Sequence, residues 1–286
     1  MKDLNNKVAV VTGAASGVGR ALAARCVREG MNVVLADIEA AALTETAREL
    51  DAGGTDILVV RTDVSRADEV DTLARMTLDR FGAVHLLFNN AGVVKGGLLW
   101  EYSLSDWEWI INVNLWGVVH GVRTFVPLML AQDVECHIVN TASIAGLIAP
   151  PNQGIYNVTK YGVVALTETL YRELAERDAK LKVSVLCPSH VRTRIYDAER
   201  NRPPVDHGGD AAGPMPQFAL EAIWSEVAER YKDYGGMVSP EYIADCTFEA
   251  IGEERFYILT HHELNPLVLE RTEAMIHGRN PLLFSA

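Results

Sequence analysis

An α/β fold built as a doubly wound parallel sheet is what this sequence predicts, and three observations carry that reading. Short β-branched runs alternate with helical patterns through the first half of the chain. A glycine-rich turn, Thr12-Gly13-Ala14-Ala15-Ser16-Gly17-Val18-Gly19, joins the first run to the first helix, and an acidic residue, Asp37, closes the second run. Alternation of this kind winds crossovers onto both faces of a sheet and places ligands at the carboxyl ends of its strands. A chain of 286 residues fits a single domain of this class.

The first strand is expected at Lys7–Val11 (KVAVV), followed by a helix that ends at Gly30. In the turn between them, Gly13 permits the sharp bend and Gly17 lets backbone approach a pyrophosphate. Gly19 lets helix and strand pack closely, so that the helix N-terminus faces the phosphates. The spacing is GxxxGxG, not GxGxxG. The second strand, Asn32–Ala36, delivers Asp37, whose carboxylate is placed to accept hydrogen bonds from both ribose hydroxyls and to repel a 2′-phosphate. No Arg or Lys lies between Thr12 and Gly19 or just after Asp37, so NAD is expected rather than NADP. Asp37 is also placed to cap the next helix. The third strand, Ile57–Arg61, leads to Asp63, a candidate for the adenine amino group or for the following helix cap. The fourth, Val84–Phe88, leads to Asn89-Asn90-Ala91-Gly92, two side-chain amides followed by a glycine that admits a cofactor closely.

A long helical pattern follows from Ser105 to Leu130, with Ser105 as its N-cap and Glu108 completing a capping box. Asn114 lies in its middle, where asparagine is a poor helix former and needs partners. A local side-chain bond or a bent helix holding a water would each supply them. Trp116 and His120 are expected to pack or to face a subunit. A fifth strand, Cys136–Asn140, presents Ser143 at its carboxyl end. Ser143 precedes Tyr156 by thirteen residues, and Lys160 follows four later, one turn along a helix expected from Gly154 to about Arg177. An ammonium beside a phenol favours the phenolate, and bringing a pKa of roughly 10 to neutrality takes about 4 kcal/mol. Such a tyrosine is prepared for proton transfer, with Ser143 bonding the oxygen that changes charge. A sixth strand is read at Lys182–Cys187.

Composition narrows the alternatives. The net charge of -12 argues against nucleic acid or an anionic membrane as partner. The N-terminal stretch has no signal-peptide pattern and no run of 18 apolar residues occurs, so a cytoplasmic protein is expected. The four cysteines form no CxxC pair and read as reduced core thiols. His261-His262-Glu263 has no third ligand nearby, and no metal is expected.

Together, TGAASGVG at residues 12–19, NNAG at 89–92, Asn114, Ser143, Tyr156 and Lys160 resemble the short-chain dehydrogenase/reductase family in order and spacing, over roughly residues 5 to 195. The resemblance implies a Rossmann-type single domain and hydride transfer between a nicotinamide and a secondary alcohol or ketone. It casts Tyr156 as acid/base and Lys160 as both pKa-lowering cation and ribose ligand. Ser143 would orient the substrate oxygen and Asn114 would hold a proton-relay water. Cofactor contacts are implied for Gly13, Ser16, Gly17, Val18, Gly19, Asp37, Asp63, Val64, Asn90, Ala91, Gly92, Pro188, Val191 and Thr193. The family usually has Pro-Gly after strand six, where this chain has Pro188-Ser189. A homodimer or homotetramer is implied, through the two long helices.

The Pro/Gly/Asp-rich stretch from Ile195 to Val238, between the sixth and seventh strands, is expected to form a substrate lid. Beyond it, a helix to about Ile251, a strand at Phe256–Leu259 and a helix at Leu267–Ile276 are expected. Val93, Ile144, Ala145, Leu147, Pro151, Gln153, Ile195 and Tyr196 are pocket candidates, and their apolar character suggests a hydrophobic or aromatic substrate. A sugar or polyol dehydrogenase or an epimerase is the second reading. A non-catalytic redox sensor is the third; it would need the nucleotide loop but no acid/base.

Overall fold

Val8–Thr12 (β1) is buried along its whole length, which demands partners on both edges and both faces. The computed structural model, which describes residues 1, 3–50, 55–203 and 215–281, shows how these are supplied. The described strands continue with Asn32–Asp37 (β2), Ile57–Arg61 (β3), Leu86–Asn89 (β4), Cys136–Thr141 (β5), Leu181–Cys187 (β6) and Tyr257–Leu259 (β7). They form one parallel sheet in the order β3-β2-β1-β4-β5-β6-β7. The winding reverses between β1 and β4, and the crevice above their carboxyl ends is the switch point at which such sheets take ligands.

The described helices are Gly17–Arg28 (α1), Ala40–Leu50 (α2), Ala67–Phe81 (α3), Leu104–Ile111 (α4), Gly117–Ala131 (α5), Ala145–Ile148 (α6), Gly154–Glu176 (α7), Gln217–Arg230 (α8), Pro240–Gly252 (α9) and Asn265–Ile276 (α10). Alternation along β1 divides the core in two. Ala9 and Val11 join Leu22 and Cys26 of α1 and Ile243 and Phe248 of α9 on one face. Val8 and Val10 join Leu73 of α3, Phe125 and Met129 of α5, and Leu170 and Leu174 of α7 on the other. Each leucine-sized side chain buried this way contributes roughly 1.5–3 kcal/mol.

Several expected details are corrected. The fourth strand begins at Leu86, because the Val84 amide donates to the Gln132 side chain (2.8 Å) and not to a neighbouring strand. The N-cap of α4 is Ser103, not Ser105. Its hydroxyl accepts from the Asp106 amide while the Asp106 carboxylate accepts from the Ser103 amide, so Asp106 fills the role expected of Glu108. Asp63 does not cap α3, whose N-cap is Arg66; its carboxylate accepts from the Ser65 amide (3.0 Å) and hydroxyl (2.7 Å). Between α4 and α5 the backbone widens into a π-turn at Asn112–Trp116, centred on Asn114.

Counted together, α4, the π-turn and α5 run 28 residues, with the length and composition of a membrane span. Burial is one-sided, however: Trp109, Ile110, Phe125 and Met129 are covered while Trp116 is 48% exposed and Leu104 82%. That is the pattern of a helix lying on a sheet. His120 bonds the Val64 carbonyl (3.0 Å) and packs beside Trp116.

The excursion after β6 starts with a 3-10 segment at Arg194–Asn201 and returns through α8. Its ends are tied by a parallel bridge, in which the Arg192 amide donates to the Val238 carbonyl (2.9 Å) and the Val238 amide to that of His190 (3.1 Å). The Pro/Gly-rich part of the expected lid, residues 204–214, lies outside the described residues.

Candidate active site

A cavity of about 880 Å³ opens above the carboxyl ends of the central strands. All residues implied as cofactor contacts border it, as do Ser143, Tyr156 and Lys160. Asn114 alone among the expected catalytic and cofactor residues does not. It is fully buried behind the cavity.

The glycine turn after β1 is built as its residues suggest. Gly13 (φ +69°) and Gly17 (φ +53°) occupy the left-handed region, and a Cβ on Gly19 would stand 2.0 Å from the Gly13 carbonyl oxygen. A Cβ on Gly17 would meet Thr193 at 2.9 Å, so this turn already touches the segment that follows β6. Thr12 joins the turn to the end of β4: its hydroxyl accepts from the amides of Asn90 (2.9 Å) and Ala91 (3.1 Å) and donates to the Phe88 carbonyl (3.1 Å).

Asn90 borders the cavity, and the side-chain amides of both asparagines are engaged within the protein. The Asn90 side chain donates to the Thr12 carbonyl (3.0 Å) and accepts from the Thr141 hydroxyl. Asn89 donates to Asn140 (2.8 Å), which donates in turn to Thr167 (3.1 Å). These amides fasten β1, β4, β5 and α7 together, because buried polar groups must be paired. Sequence order alone gives no hint of those partners.

At the β2 end, the Asp37 carboxylate accepts from the amides of Ala15 (3.0 Å) and Glu39 (2.9 Å), so it holds the turn and leads into α2 at once. Burial pushes its pKa up, and the two amides work against that rise. Beside it stands an unexpected cation: Arg200 donates to Glu39 through Nη2 (2.7 Å) and Nε (3.1 Å).

On α7, Tyr156 and Lys160 share a face as the spacing required. Lys160 Nζ lies 5.4 Å from the Tyr156 ring centre and donates to the Thr141 carbonyl (2.8 Å). Ser143 donates to the Pro188 carbonyl (3.2 Å) and accepts from the Ala145 amide (3.1 Å). The expected lowering of the Tyr156 pKa is not found in the protein alone. Burial pushes that phenol up to about 12, with the Ser143 hydroxyl working against the rise. Burial likewise brings Lys160 down to about 8, since the same desolvation that disfavours a phenolate disfavours an ammonium. Tyr156 lines the cavity and keeps partial exposure, so solvent tempers its displacement.

Asn114 is held on all sides. Its Oδ1 accepts from the Val93 amide (2.8 Å), and its Nδ2 donates to the Val93 carbonyl (2.8 Å) and the Thr159 hydroxyl (3.3 Å). Its bonds are neither local to its helix nor aimed at a ligand.

With this geometry in place, comparison with known proteins is informative. The family model for short chain dehydrogenases matches residues 7–203, more than half of the chain. The chain belongs to the short chain dehydrogenase family. Among its relatives, a CLA biosynthesis dehydrogenase/reductase of Lactiplantibacillus plantarum is 34% identical, the match covering 98% of this chain and 97% of that protein. A 1-deoxy-11-beta-hydroxypentalenate dehydrogenase of Streptomyces arenae is 34% identical over 90% of this chain and 83% of its own. A solved short chain dehydrogenase/reductase from Burkholderia phymatum, in complex with NAD, superposes with a TM-score of 0.90 at 47% identity and full coverage of both chains.

At the other end of the cavity, this short chain dehydrogenase is lined by Val93, Ile144, Ala145, Pro151, Gln153, Ile195 and Tyr196, as expected, while Leu147 turns away to pack against the core. Ile148 takes its place. Tyr231, Tyr234, Leu264 and Leu267, from α8 onward, also border this end and were not anticipated. The His190 ring stacks on Tyr231 at 4.0 Å and its Nδ1 bonds the Tyr196 hydroxyl (3.1 Å). At the departure from the family pattern, the Ser189 amide donates to His261 Nδ1 (3.3 Å).

Proposed function

We propose that the protein is an NAD-dependent oxidoreductase that moves hydride between the nicotinamide and a hydrophobic or aromatic secondary alcohol or its ketone. The observation that carries this reading is the convergence of Ser143, Tyr156 and Lys160 on the cavity that Asp37 closes at its far end. The residues present fit a dinucleotide. Gly13 and Gly17 hold their turn in the left-handed region and a Cβ on Gly19 would stand 2.0 Å from backbone, so this part of the cavity is lined closely by main chain. The complex of the Burkholderia protein with NAD supports the same choice.

In this reading Asp37 takes the adenosine ribose, with Asp63 and Val64 beside the adenine. The turn from Gly13 to Gly19 takes the pyrophosphate. Lys160 reaches the second ribose, and Thr193, with Pro188 and Val191, holds the carboxamide. When bound, the nicotinamide supplies the hydride acceptor or donor. Tyr156 moves the proton at the substrate oxygen, which Ser143 orients. The Ser143 hydroxyl works against the burial that raises the Tyr156 pKa, and Lys160 stands one turn away with its Nζ 5.4 Å from the Tyr156 ring centre. Asn114 positions Val93 and Thr159 and thereby the wall beside Lys160.

The other end of the cavity supports an apolar substrate, its walls supplied by Val93, Ile144, Ile148, Tyr231 and Leu267. The Streptomyces relative, named as a dehydrogenase of a hydroxylated compound, agrees with alcohol oxidation. Ile195, Tyr196, Tyr231 and Tyr234 border the cavity from the excursion after β6, which supports its reading as a cover over the substrate. The exposed apolar faces of α4, α5 and α7 support a homodimer or homotetramer.

The test is NAD reduction across a panel of aliphatic, aromatic and polyol secondary alcohols, with Tyr156→Phe as control. Turnover of apolar alcohols, lost by at least about a hundredfold in the variant, is expected. Full turnover by Tyr156→Phe would sink the assignment of the acid/base, and turnover of polyols alone would sink the substrate class.

A further inference from the structure

The structure brings to the adenosine end of the cavity a guanidinium, Arg200, that lies 161 positions from Glu39 in the sequence. Glu39 Oε1 accepts from Arg200 Nη2 (2.7 Å) and Nε (3.1 Å) and from the Asn201 side-chain amide (3.0 Å). The Arg200 Nη1 donates to the carbonyls of Arg194 (2.9 Å) and Asp197 (2.8 Å), so the guanidinium is fixed in place with its side chain only 10% exposed. Glu39 and Arg200 border the cavity together with Asp37, two residues from Glu39.

In the reading proposed above, Asp37 holds both hydroxyls of the adenosine ribose. A 2′-phosphate would then enter the space that Asp37, Glu39 and Arg200 share. Arg194 also borders this corner and pairs with the buried Asp197, which lies 3.9 Å from Arg200 as well. Three carboxylates against two guanidiniums leave a net negative charge, and Glu39 occupies the edge of Arg200 that would fork onto a phosphate.

We propose that Arg200 is a masked 2′-phosphate ligand: Glu39 engages it, and together with Asp37 keeps the protein on the unphosphorylated dinucleotide. The inference rests on the dinucleotide reading. It assigns discrimination to a residue beyond β6 as well as to the β2 end, and it makes a reversal of preference a matter of removing two charges without adding a base.

The experiment measures Kd for NADH and NADPH by nicotinamide fluorescence, with no substrate present. The full chain is used as wild type, Asp37→Ser, Glu39→Gln, and Asp37→Ser with Glu39→Gln. The double variant is also combined with Arg200→Met or with Arg200→Lys. The readout is the ratio of the two constants, which a general loosening of the segment leaves unchanged. The double variant is expected to shift the ratio towards NADPH by about a hundredfold, tenfold for each carboxylate removed. Adding Arg200→Met should return at least about tenfold of that shift, with Arg200→Lys returning less. Raising the salt concentration should weaken NADPH binding to the double variant more than NADH binding.

A double variant whose ratio is the same with and without Arg200→Met would overturn the proposal. So would Arg200 variants that weaken both dinucleotides equally, which would make Arg200 an anchor of the segment alone. Wild-type protein that binds neither NADH nor NADPH would instead overturn the dinucleotide reading on which the proposal stands.

Discussion

At Lys160 an amine 3% exposed donates to a carbonyl and has no carboxylate partner among the described residues. Its pKa lies near 8, below the ordinary 10.5, because burial penalises the charge. The unfolded chain therefore binds the extra proton more readily between those values, so stability rises with pH across that window, and below about pH 8 the full penalty applies. The penalty is about 3 kcal/mol, of which losing the bond to Thr141 would return about 1. Lys160→Met is thus expected to melt higher than the parent by about 4–8 °C at neutral pH, the gap narrowing above pH 8, while turnover falls at least about a hundredfold. Differential scanning calorimetry against pH decides this, and a variant that melts lower at pH 7 would contradict it. In the proposed mechanism the same pair would govern catalysis, alcohol oxidation needing a proton removed from Tyr156 and Lys160 together. Its kcat/KM should climb with pH to a plateau at or above about 8, and ketone reduction should fall over the same range. A flat oxidation profile between about pH 6 and 10 would exclude the pair as the acid/base.

At the scale of elements, contact between α1 and β1 depends on a missing side chain. A Cβ on Gly19 would stand 2.0 Å from the Gly13 carbonyl, an approach that backbone on both sides cannot relieve. Gly19→Ala is expected to destabilise by about 3 kcal/mol or more and to weaken dinucleotide binding, since the same backbone forms the turn proposed to take the pyrophosphate. Gly252, at the end of α9, has nothing within 4 Å of its Cβ position. Gly252→Ala should be neutral or slightly stabilising, by at most about 1 kcal/mol. Urea unfolding of the two variants separates them, and equal midpoints would refute the packing argument. The π-turn belongs to this scale as well. Asn114 is legible as an oddity in a helical pattern, but its partners Val93 and Thr159 are not, because they come from other elements.

Across the described residues, apolar side chains are left uncovered on several helices and in the loop before α4, where Trp100 is 81% exposed. Leu104 (82%) and Trp116 (48%) are exposed on the helix running from α4 to α5, and Val158 (49%) and Tyr171 (47%) on α7. Such faces are expected to be buried between copies. Light scattering should give two or four times the 31.4 kDa chain mass, and Trp116→Glu should shift it towards one. Wild-type protein that stays monomeric at micromolar concentration would remove this reading.

Much of the molecule could be read from residue order alone, because the signals were local. Strand-glycine-helix order at residues 8–19, strand alternation up to β6, and the one-turn spacing of Tyr156 and Lys160 are each set by a few adjacent residues, and the fold preserves them. What only the tertiary structure decided depends on groups far apart in the chain. Burial raised the Tyr156 pKa despite its one-turn spacing from Lys160, because desolvation is set by everything packed around a group. Asn89 turned inward and Asn90, at the cavity wall, is tied to β1 and β5, because their hydrogen-bond partners come from other strands. And the arginine missing from the neighbourhood of Asp37 in sequence arrived as Arg200, carried there by the 3-10 segment that opens the excursion after β6. Ion pairs answer to distance in space, and residue order does not specify it.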